Sequence, residues 1–277
     1  MLFGWAALMR VDAAPKRIVT LSSALTETVF ALGFGHAVVA TDVTSLSPEA
    51  AARLPRVSVN RAVSAAGIMA FRPDLVLAPE GDVPPAVVQH LRTAGIAFVP
   101  LRQQYTAKGA LTFIRQVARA LGEPAAGERA AAAMNERLQQ ALQVVAASAW
   151  SKPPTVLFIY ARGTGALSVA GKGSSIDAII SLAGGRNAVQ EFADFKPYST
   201  EALVKANPDI IMMFDFGVSN LGGEKAIYQL PGVRITRAGK ARRIIQVDGP
   251  LMVNFSTRLP EAIQVLNGLI RQKMTGT

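Results

Sequence analysis

The segment SAAGIMAFRPDLVL, residues 64–77, returns 135 residues later as STEALVKANPDIIM, residues 199–212. Each copy opens with a serine typical of a helix N-cap, continues for two helical turns and stops at Pro-Asp. An apolar run follows in both copies and predicts a buried strand. Two such copies in 277 residues predict two similar α/β lobes with a ligand cleft between them.

Strands alternate with helices along the rest of the chain, which favours parallel sheets with helices on both faces. Strands are predicted at 18–22, 37–41, 74–78, 96–101, 156–160, 209–214 and 243–247, and helices at 23–32, 64–70, 84–94, 174–183, 199–206 and 257–272.

The segment 107–149 is rich in Ala, Gln, Glu and Arg and predicts a long helix, interrupted at Gly122-Glu123-Pro124. The predicted domains are an N-terminal lobe over 15–106, a linking helix over 107–150 and a C-terminal lobe over 151–277.

Composition restricts the functions that the chain can have. The formal net charge is +10, which fits either a basic, well-solvated surface or an anionic ligand. The Lys and Arg residues are scattered, and the densest cluster, residues 234–243, has no interleaved aromatic residues, so nucleic acid is not predicted as a partner. The absence of cysteine excludes disulfides and thiolate metal sites.

The N-terminus has features of a secretion signal. Residues 2–9 are apolar, and Val11-Asp12-Ala13 before Ala14-Pro15 resembles a small-residue cleavage site. The apolar stretch is short and no basic residue precedes it. We interpret residues 1–14 as a signal remnant rather than an ordinary frayed terminus, which predicts export to the periplasm.

Ligands of open parallel sheets bind beyond the carboxyl ends of the strands. This rule selects the loops at 22–23, 56–63, 79–81, 160–175, 215–223 and 249–258. Of these loops, 160–175 contains the most residues suited to ligand binding. They are Tyr160, Arg162, Lys172, several glycines and a serine pair that begins a helix. Backbone N–H groups at a helix start attract anions. We therefore predict that this loop contacts an anionic ligand and is not merely a surface turn.

The sequence offers little from which to assemble a group of catalytic residues. The two histidines, His36 and His90, have no companion at metal-ligand spacing, and Ser22-Ser23 is not a nucleophile elbow. The glycines of 160–175 match neither the dinucleotide fingerprint nor the Walker spacing. No enzyme activity is therefore predicted. The alternative function is that of an α/β enzyme that uses this loop to bind a phosphorylated or nucleotide substrate.

Several blocks together indicate a family. They are residues 18–22, 25–27, 31–33, 72–76, 183–188, 196–203, 229–232 and 255–260. From about residue 16 to 272 the chain resembles the periplasmic binding proteins of ABC importers for haem, cobalamin and ferric siderophores, and the last two blocks resemble the haem-binding branch. The resemblance implies two Rossmann-like lobes with parallel sheets joined by one long helix. It also implies small closure motions and delivery of haem, as transported cargo for iron uptake, to an ABC permease and its ATPase.

Two positions depart from the family's pattern. The haem branch carries its axial tyrosine two residues before the arginine that matches Arg61, where this chain has Val59, followed by Asn60. Valine has no donor atom for iron, whereas Arg61 can pair with a propionate. The family also docks on its permease through one glutamate per lobe.

The internal repeat identifies the docking positions in this chain. Glu201 is present in the second copy, and Ala66 stands at its counterpart in the first. Glu201 and Glu80 are therefore the predicted docking residues.

Three interpretations of the ligand remain open. Tyr160 can replace the missing axial tyrosine, and Tyr198 and Tyr228 are less well placed for that role. Haem can also bind without a protein ligand, held by the cations Arg61, Arg162, Lys172 and Arg258 and by apolar walls. The third interpretation is that the ligand is a metal-free porphyrin, another tetrapyrrole or a siderophore. Separately, Val59 and Ala66 together allow a degenerate paralogue that signals or does nothing.

Overall fold

A computed structural model describes residues 15–161 and 167–276, which form two compact units. The first unit comprises the described residues up to Gln104 together with Lys108–Ala133, and the second comprises Tyr105–Ala107 and the described residues from Met134 onwards. The signal remnant predicted over 1–14 and the predicted binding residue Arg162 lie outside the described residues. No helix within these ranges is long and apolar enough to cross a membrane.

The first unit contains one four-stranded parallel sheet in the order β2-β1-β3-β4. Its elements are β1 (Ile18–Thr20), α1 (Ser23–Ala31), β2 (Val38–Thr41), α2 (Glu49–Ala52), α3 (Ala65–Met69), β3 (Leu75–Pro79), α4 (Pro85–Thr93) and β4 (Ala97–Leu101). A 3-10 turn over Gly35–Ala37 precedes β2.

Strand alternation divides the apolar side chains of the first sheet between two cores. Ile18 and Leu75 point into a core with Leu25 of α1, whereas Val19 and Val76 point into a second core with Leu91 of α4. Both faces of the sheet are therefore covered, as a parallel sheet requires.

Two helices follow the first sheet, α5 (Ala107–Ala120) and α6 (Pro124–Ala147). Gly122 adopts a φ of +80° and Pro124 begins α6, so the predicted interruption at 122–124 is confirmed. The boundary between the two compact units falls inside α6, between Ala133 and Met134, whereas the sequence suggests a separate linking segment over 107–150.

The second unit contains a mixed sheet in the order β10-β9-β5-β6-β8, with β7 paired to β5. Its elements are β5 (Thr155–Tyr160), β6 (Ser168–Ala170), α7 (Ser175–Leu182), β7 (Arg186–Asn187), β8 (Phe195–Pro197), α8 (Thr200–Ala206), β9 (Ile210–Phe214), α9 (Asp215–Asn220), α10 (Glu224–Ile227), α11 (Arg237–Lys240), β10 (Ile244–Val247), α12 (Gly249–Val253) and α13 (Leu259–Thr275). A 3-10 turn lies at Val233–Ile235.

The second sheet is mixed, whereas the alternation of strands and helices predicts parallel sheets. Strand β6 runs antiparallel to β5, and β8 runs antiparallel to β6. Segments taken as loops also carry elements: β6 lies within 160–175, α9 within 215–223 and α12 within 249–258. These pieces are three to six residues long, too short for hydrophobic periodicity to reveal.

The internal repeat corresponds to the same local structure in each unit. The hydroxyl of Ser64 caps α3 by accepting from the backbone N–H of Gly67 at 3.0 Å, and the hydroxyl of Ser199 caps α8 by accepting from Ala202 at 3.2 Å. Before each proline the backbone is left-handed, with φ of +47° at Arg72. The counterpart of Arg72, residue 207, has a φ of +40°.

The aspartate of each repeat holds the start of the unit's first strand. The carboxylate of Asp74 accepts from the backbone N–H groups of Lys16 and Arg17 at 2.8 and 3.1 Å. The carboxylate of Asp209 accepts from the N–H and the hydroxyl of Thr155 at 2.8 and 2.7 Å. The repeat is therefore a structural unit that sets the position of β1 against β3 and of β5 against β9.

We expect Asp209→Ala to lower the free energy of unfolding by about 1–3 kcal/mol, since it leaves the N–H of Thr155 without its acceptor and removes the ion pair to Arg237. Urea unfolding followed by the fluorescence of Trp150, which lies in the second unit, measures the change. The exposed Asp82→Ala is the control and should change stability by less than about 0.5 kcal/mol. Equal stability of the two variants would show that the aspartate does not hold the strand.

Candidate functional site

Two neighbouring strands of the second sheet end on aromatic side chains. Strand β5 ends at Tyr160 and its parallel neighbour β9 ends at Phe214. The carboxyl ends of parallel strands lie at one edge of a sheet, so these two rings lie side by side, with their centroids 6.0 Å apart.

Two further aromatic rings extend this surface. The centroid of Tyr160 lies 6.3 Å from that of Phe195 in β8 and 5.8 Å from that of Phe216 in α9. The ring of Phe214 is buried, whereas Phe195 and Phe216 are 44% and 42% exposed. We call Tyr160, Phe195, Phe214 and Phe216 the aromatic platform. Below it, the buried Phe158 ring lies 4.6 Å from Phe214.

The aromatic platform is suited to a flat, apolar ligand. Tyr160 packs edge to face against each of the other three rings, and Phe214 and Phe216 are tilted by 41° to one another. The four rings offer a contiguous apolar surface whose inner part is fixed by the core. Large aromatic side chains left half-exposed and grouped together mark binding surfaces more often than isolated ones do. The hydroxyl of Tyr160 adds a single oxygen donor within this surface.

The sequence identified Tyr160 but missed Phe195, Phe214 and Phe216. Phe195 reaches the platform only because β8 joins the sheet through the antiparallel strand β6, a pairing that no sequence signal indicated. Phe214 and Phe216 follow an apolar run, and a strand end followed by a second aromatic residue was a signal that could have located them.

The glycine-rich segment begins a helix that is already capped. The hydroxyl of Ser174 accepts from the N–H of Asp177 at 3.1 Å, and the carboxylate of Asp177 accepts from the N–H of Gly173 at 2.9 Å. The chain's own carboxylate therefore occupies part of the helix start where an anion was predicted. Lys172, just before this turn, remains exposed.

Arg258 is engaged by a carboxylate of its own helix. Its guanidinium donates to both carboxylate oxygens of Glu261, at 2.8 and 2.6 Å. These hydrogen bonds hold the pKa of Glu261 below its usual value, against the opposing effect of burial. A ligand carboxylate would have to compete with Glu261 for this cation.

Tyr198 and Tyr228 are poor donors for a metal ion. The Tyr198 hydroxyl donates to Glu191 at 3.0 Å and that of Tyr228 donates to Glu224 at 2.7 Å. Burial, together with these hydrogen bonds, raises the pKa of Tyr198 to about 12 and raises the pKa of Tyr228 further. Deprotonation to a metal-binding phenolate is therefore disfavoured at both positions.

The first unit presents Val59, Asn60 and Arg61 on one exposed turn. The side chain of Val59 is 97% exposed, and the Asn60 carboxamide accepts from the N–H of Ala62 at 2.9 Å. The guanidinium of Arg61 is exposed and makes no hydrogen bond or ion pair with another described residue.

The two acidic candidates for docking are both exposed. Glu201 is the second residue of α8 and is fully exposed; a hydrogen bond from its own backbone N–H and one from Ser199 lower its pKa. Ala66 is the second residue of α3, which makes it the structural counterpart of Glu201. Glu80 follows β3, where its N–H donates to the carbonyl of Leu101 at 3.1 Å.

The two histidines lie on separate elements of the first unit. His36 lies in the 3-10 turn against Phe34, and His90 lies exposed on α4. Within residues 15–161 and 167–276, no group of three His, Cys, Asp or Glu side chains could hold a metal ion.

A family model described as periplasmic binding protein matches residues 18–251, most of the chain. The chain is a member of this family. The predicted family and the α/β fold class are therefore confirmed.

This periplasmic binding protein is similar to a solved heme-binding protein, BhuT in complex with two hemes. The two are 36% identical with a TM-score of 0.88, and the match covers 94% of this chain and 99% of that one. An ABC transporter substrate-binding lipoprotein of Bacillus subtilis, YvrC, is 25% identical over 91% of this chain and 79% of its own length. The Vibrio cholerae vitamin B12-binding protein is 26% identical over 79% of this chain and 78% of its own length.

Membership establishes the general activity of this periplasmic binding protein. It is a substrate-binding component of an ABC transporter, which implies permease and ATPase partners and a place of action outside the cytoplasm. It is not an enzyme, as the sequence predicts. The family leaves the identity of the ligand open, since its members include both heme-binding and vitamin B12-binding proteins.

Proposed function

We propose that this protein captures haem, or a closely related tetrapyrrole, in the periplasm and delivers it to an ABC permease for iron uptake. The aromatic platform carries the proposal, because its half-exposed rings match the flat, apolar face of a porphyrin. A porphyrin buries several hundred square ångströms of apolar surface on such rings, which is a large source of affinity.

Cations supply the second element of recognition. Propionates at the edge of haem form charge-assisted hydrogen bonds with arginine and lysine. In the second unit we assign this role to Lys172 and Arg258, and in the first unit to Arg61, whose guanidinium has no partner among the described residues. Arg162, beside Tyr160 in the sequence, is included on sequence grounds alone.

The choice of haem over cobalamin follows from ligand shape. Haem is flat and carries two carboxylates, whereas cobalamin carries axial groups above and below its ring and an edge of neutral amides. The aromatic platform favours a flat face, and the cations favour carboxylates. The likeness to a heme-binding structure at 36% identity supports the same choice.

Tyr160 is the proposed axial ligand of the iron. We choose Tyr160 because its ring lies among the half-exposed rings of the aromatic platform, whereas Val59 has no donor atom for iron. Its ring is fixed among Phe195, Phe214 and Phe216, which orients the hydroxyl oxygen.

Titration of the purified protein with hemin tests this proposal. We expect a saturating shift of the haem absorption band at micromolar hemin and a charge-transfer band typical of iron bound to a phenolate. Tyr160→Phe should abolish the charge-transfer band and weaken hemin binding about tenfold, whereas the control Tyr228→Phe should change neither. A charge-transfer band that survives Tyr160→Phe would exclude Tyr160 as the ligand, and no hemin binding by the unmodified protein would refute the proposed function.

We further propose that Glu201 and Glu80 contact cationic side chains of the permease. Both are exposed, and Glu201 stays ionised over a wide pH range because its pKa is lowered. Exposed charges at the rim of a protein–protein interface act mainly on the rate and specificity of association.

In vesicles that contain the permease and its ATPase, Glu201→Gln should reduce the binding protein's stimulation of ATP hydrolysis several-fold, with a smaller effect from Glu80→Gln. The exposed Glu123→Gln, which lies between α5 and α6, is the control and should leave stimulation unchanged. Full stimulation by Glu201→Gln would remove this residue from the docking surface.

A further inference from the structure

Basic side chains gather where the parallel strands of the second sheet begin. Strands β5, β7, β9 and β10 run parallel to one another and begin close to the same register, so their amino ends form one edge of the sheet. We call the exposed cations at this edge the basic edge. They are Lys152 before β5, Arg186 at the start of β7, Lys205 before β9, and Arg234, Arg237, Lys240 and Arg242 before β10.

Backbone hydrogen bonds join the segments that carry these cations. The N–H of Ala238 in α11 donates to the carbonyl of Pro208 at 2.9 Å, which holds α11 beside the start of β9. The N–H of Arg186 donates to the carbonyl of Pro154 at 2.9 Å, which holds β7 beside the segment that leads into β5. The cations therefore stand on connected backbone at one end of the sheet.

Carboxylates do not balance the charge of the basic edge. The segment 225–247 contains six basic residues and no acidic residue. Asp209 lies at this edge, and its carboxylate is already paired with Arg237 at 3.0 Å. Among the described residues, no carboxylate forms an ion pair with the other cations of the basic edge.

Helix dipoles explain only part of this pattern. Lys205 and Lys240 lie in the last turns of α8 and α11, where a cation is favourable. Lys152, Arg186 and Arg242 lie outside the helices. Like charges gathered on one surface repel one another and lower the stability of the folded state. The stability of the unit therefore does not account for the basic edge.

An exposed apolar side chain stands among these cations. Ile235 is 54% exposed and lies between Arg234 and Arg237 in the sequence. The next residue, Thr236, is buried, and its hydroxyl caps α11 by accepting from the N–H of Gly239 at 3.1 Å, which fixes the turn that carries Ile235. Cations that attract anionic headgroups, beside an apolar side chain that enters the boundary between headgroups and acyl chains, are the elements of binding to a membrane surface.

We infer that the basic edge binds a bilayer that contains anionic phospholipids, with Ile235 in the headgroup region. The cations are spread along an edge rather than gathered around a cavity, which suits an array of phosphates better than a single one. Nucleic acid is the poorer match, because the segment 229–247 contains no aromatic residue on which a base could stack. A component of an ABC transporter acts beside a membrane, so such a surface is within its reach.

Lipid contact at the basic edge leaves the aromatic platform open. The platform lies at the carboxyl ends of β5 and β9, and β5 spans six residues, or about 20 Å. The inference therefore goes beyond the proposed function and does not depend on which ligand the platform binds.

Sedimentation with lipid vesicles tests the inference. The unmodified protein should bind vesicles of phosphatidylglycerol mixed with phosphatidylcholine but not vesicles of phosphatidylcholine alone, and about 1 M salt should release it. The variant Lys152→Gln/Arg234→Gln/Lys240→Gln should bind the anionic vesicles at least about tenfold more weakly, because each cation near an anionic bilayer contributes about fivefold to binding.

A matched control separates the basic edge from net charge. Lys108→Gln/Arg119→Gln/Arg129→Gln removes the same charge from exposed positions on α5 and α6 and should bind within about twofold of the unmodified protein. Ile235→Ser leaves the charge unchanged and should weaken vesicle binding about fivefold. Thermal melting and hemin titration of each variant should match those of the unmodified protein.

Failure of the unmodified protein to bind anionic vesicles would overturn the inference and leave the proposed function intact. Equal losses in the two triple variants would also overturn it, because net charge alone would then explain the binding. Unchanged vesicle binding by Ile235→Ser would contradict insertion into the headgroup region. Tighter binding to soluble polyglutamate than to anionic vesicles would assign the basic edge to an acidic protein and would overturn the choice of a lipid surface.

Discussion

Each unit depends on an aspartate that holds the beginning of its first strand. Asp74 and Asp209 accept backbone N–H groups at the start of β1 and β5, which fixes how these strands pair with β3 and β9. A shift of one residue in either pairing would turn every side chain of the strand to the opposite face. In the second unit such a shift would remove Tyr160 from the aromatic platform, so the proposed binding surface depends on an interaction at the far end of the strand.

The sequence predicts well those caps, turns and strands that are determined by residues close to one another in the chain. The repeat locates both serine caps, both Pro-Asp turns and the strands that follow, because each signal lies within a few residues of its neighbours. The break at Gly122 was likewise predictable from glycine and proline chemistry. The mixed second sheet was not, because β6 and β8 are three residues long and pair through contacts distant along the chain.

The candidate site was predicted only in part for the same reason. Tyr160 was found because it ends a strong apolar strand, and Arg61 because it belongs to a recognisable motif. Phe195 was missed, since nothing in its local sequence shows that it joins the sheet through β6. Burial and exposure that arise from distant contacts are properties of the fold rather than of a sequence window.

The two units share a backbone plan and differ in chemistry. The first unit presents Val59 and Leu46 and carries Ala66 at the start of α3, whereas the second presents Tyr160 among aromatic rings and carries Glu201 at the start of α8. We therefore propose that the second unit carries metal recognition and most of the acidic docking. Duplication of a fold element permits this division, because the hydrogen bonds that maintain the backbone are separate from the side chains that bind.

We propose that the protein selects a flat tetrapyrrole that carries carboxylates. Native mass spectrometry of the protein incubated with equimolar hemin, cyanocobalamin and a ferric siderophore tests it in a single measurement. We expect the protein to acquire the mass of hemin in preference to the other two. Preferential acquisition of cyanocobalamin or of the siderophore would contradict it.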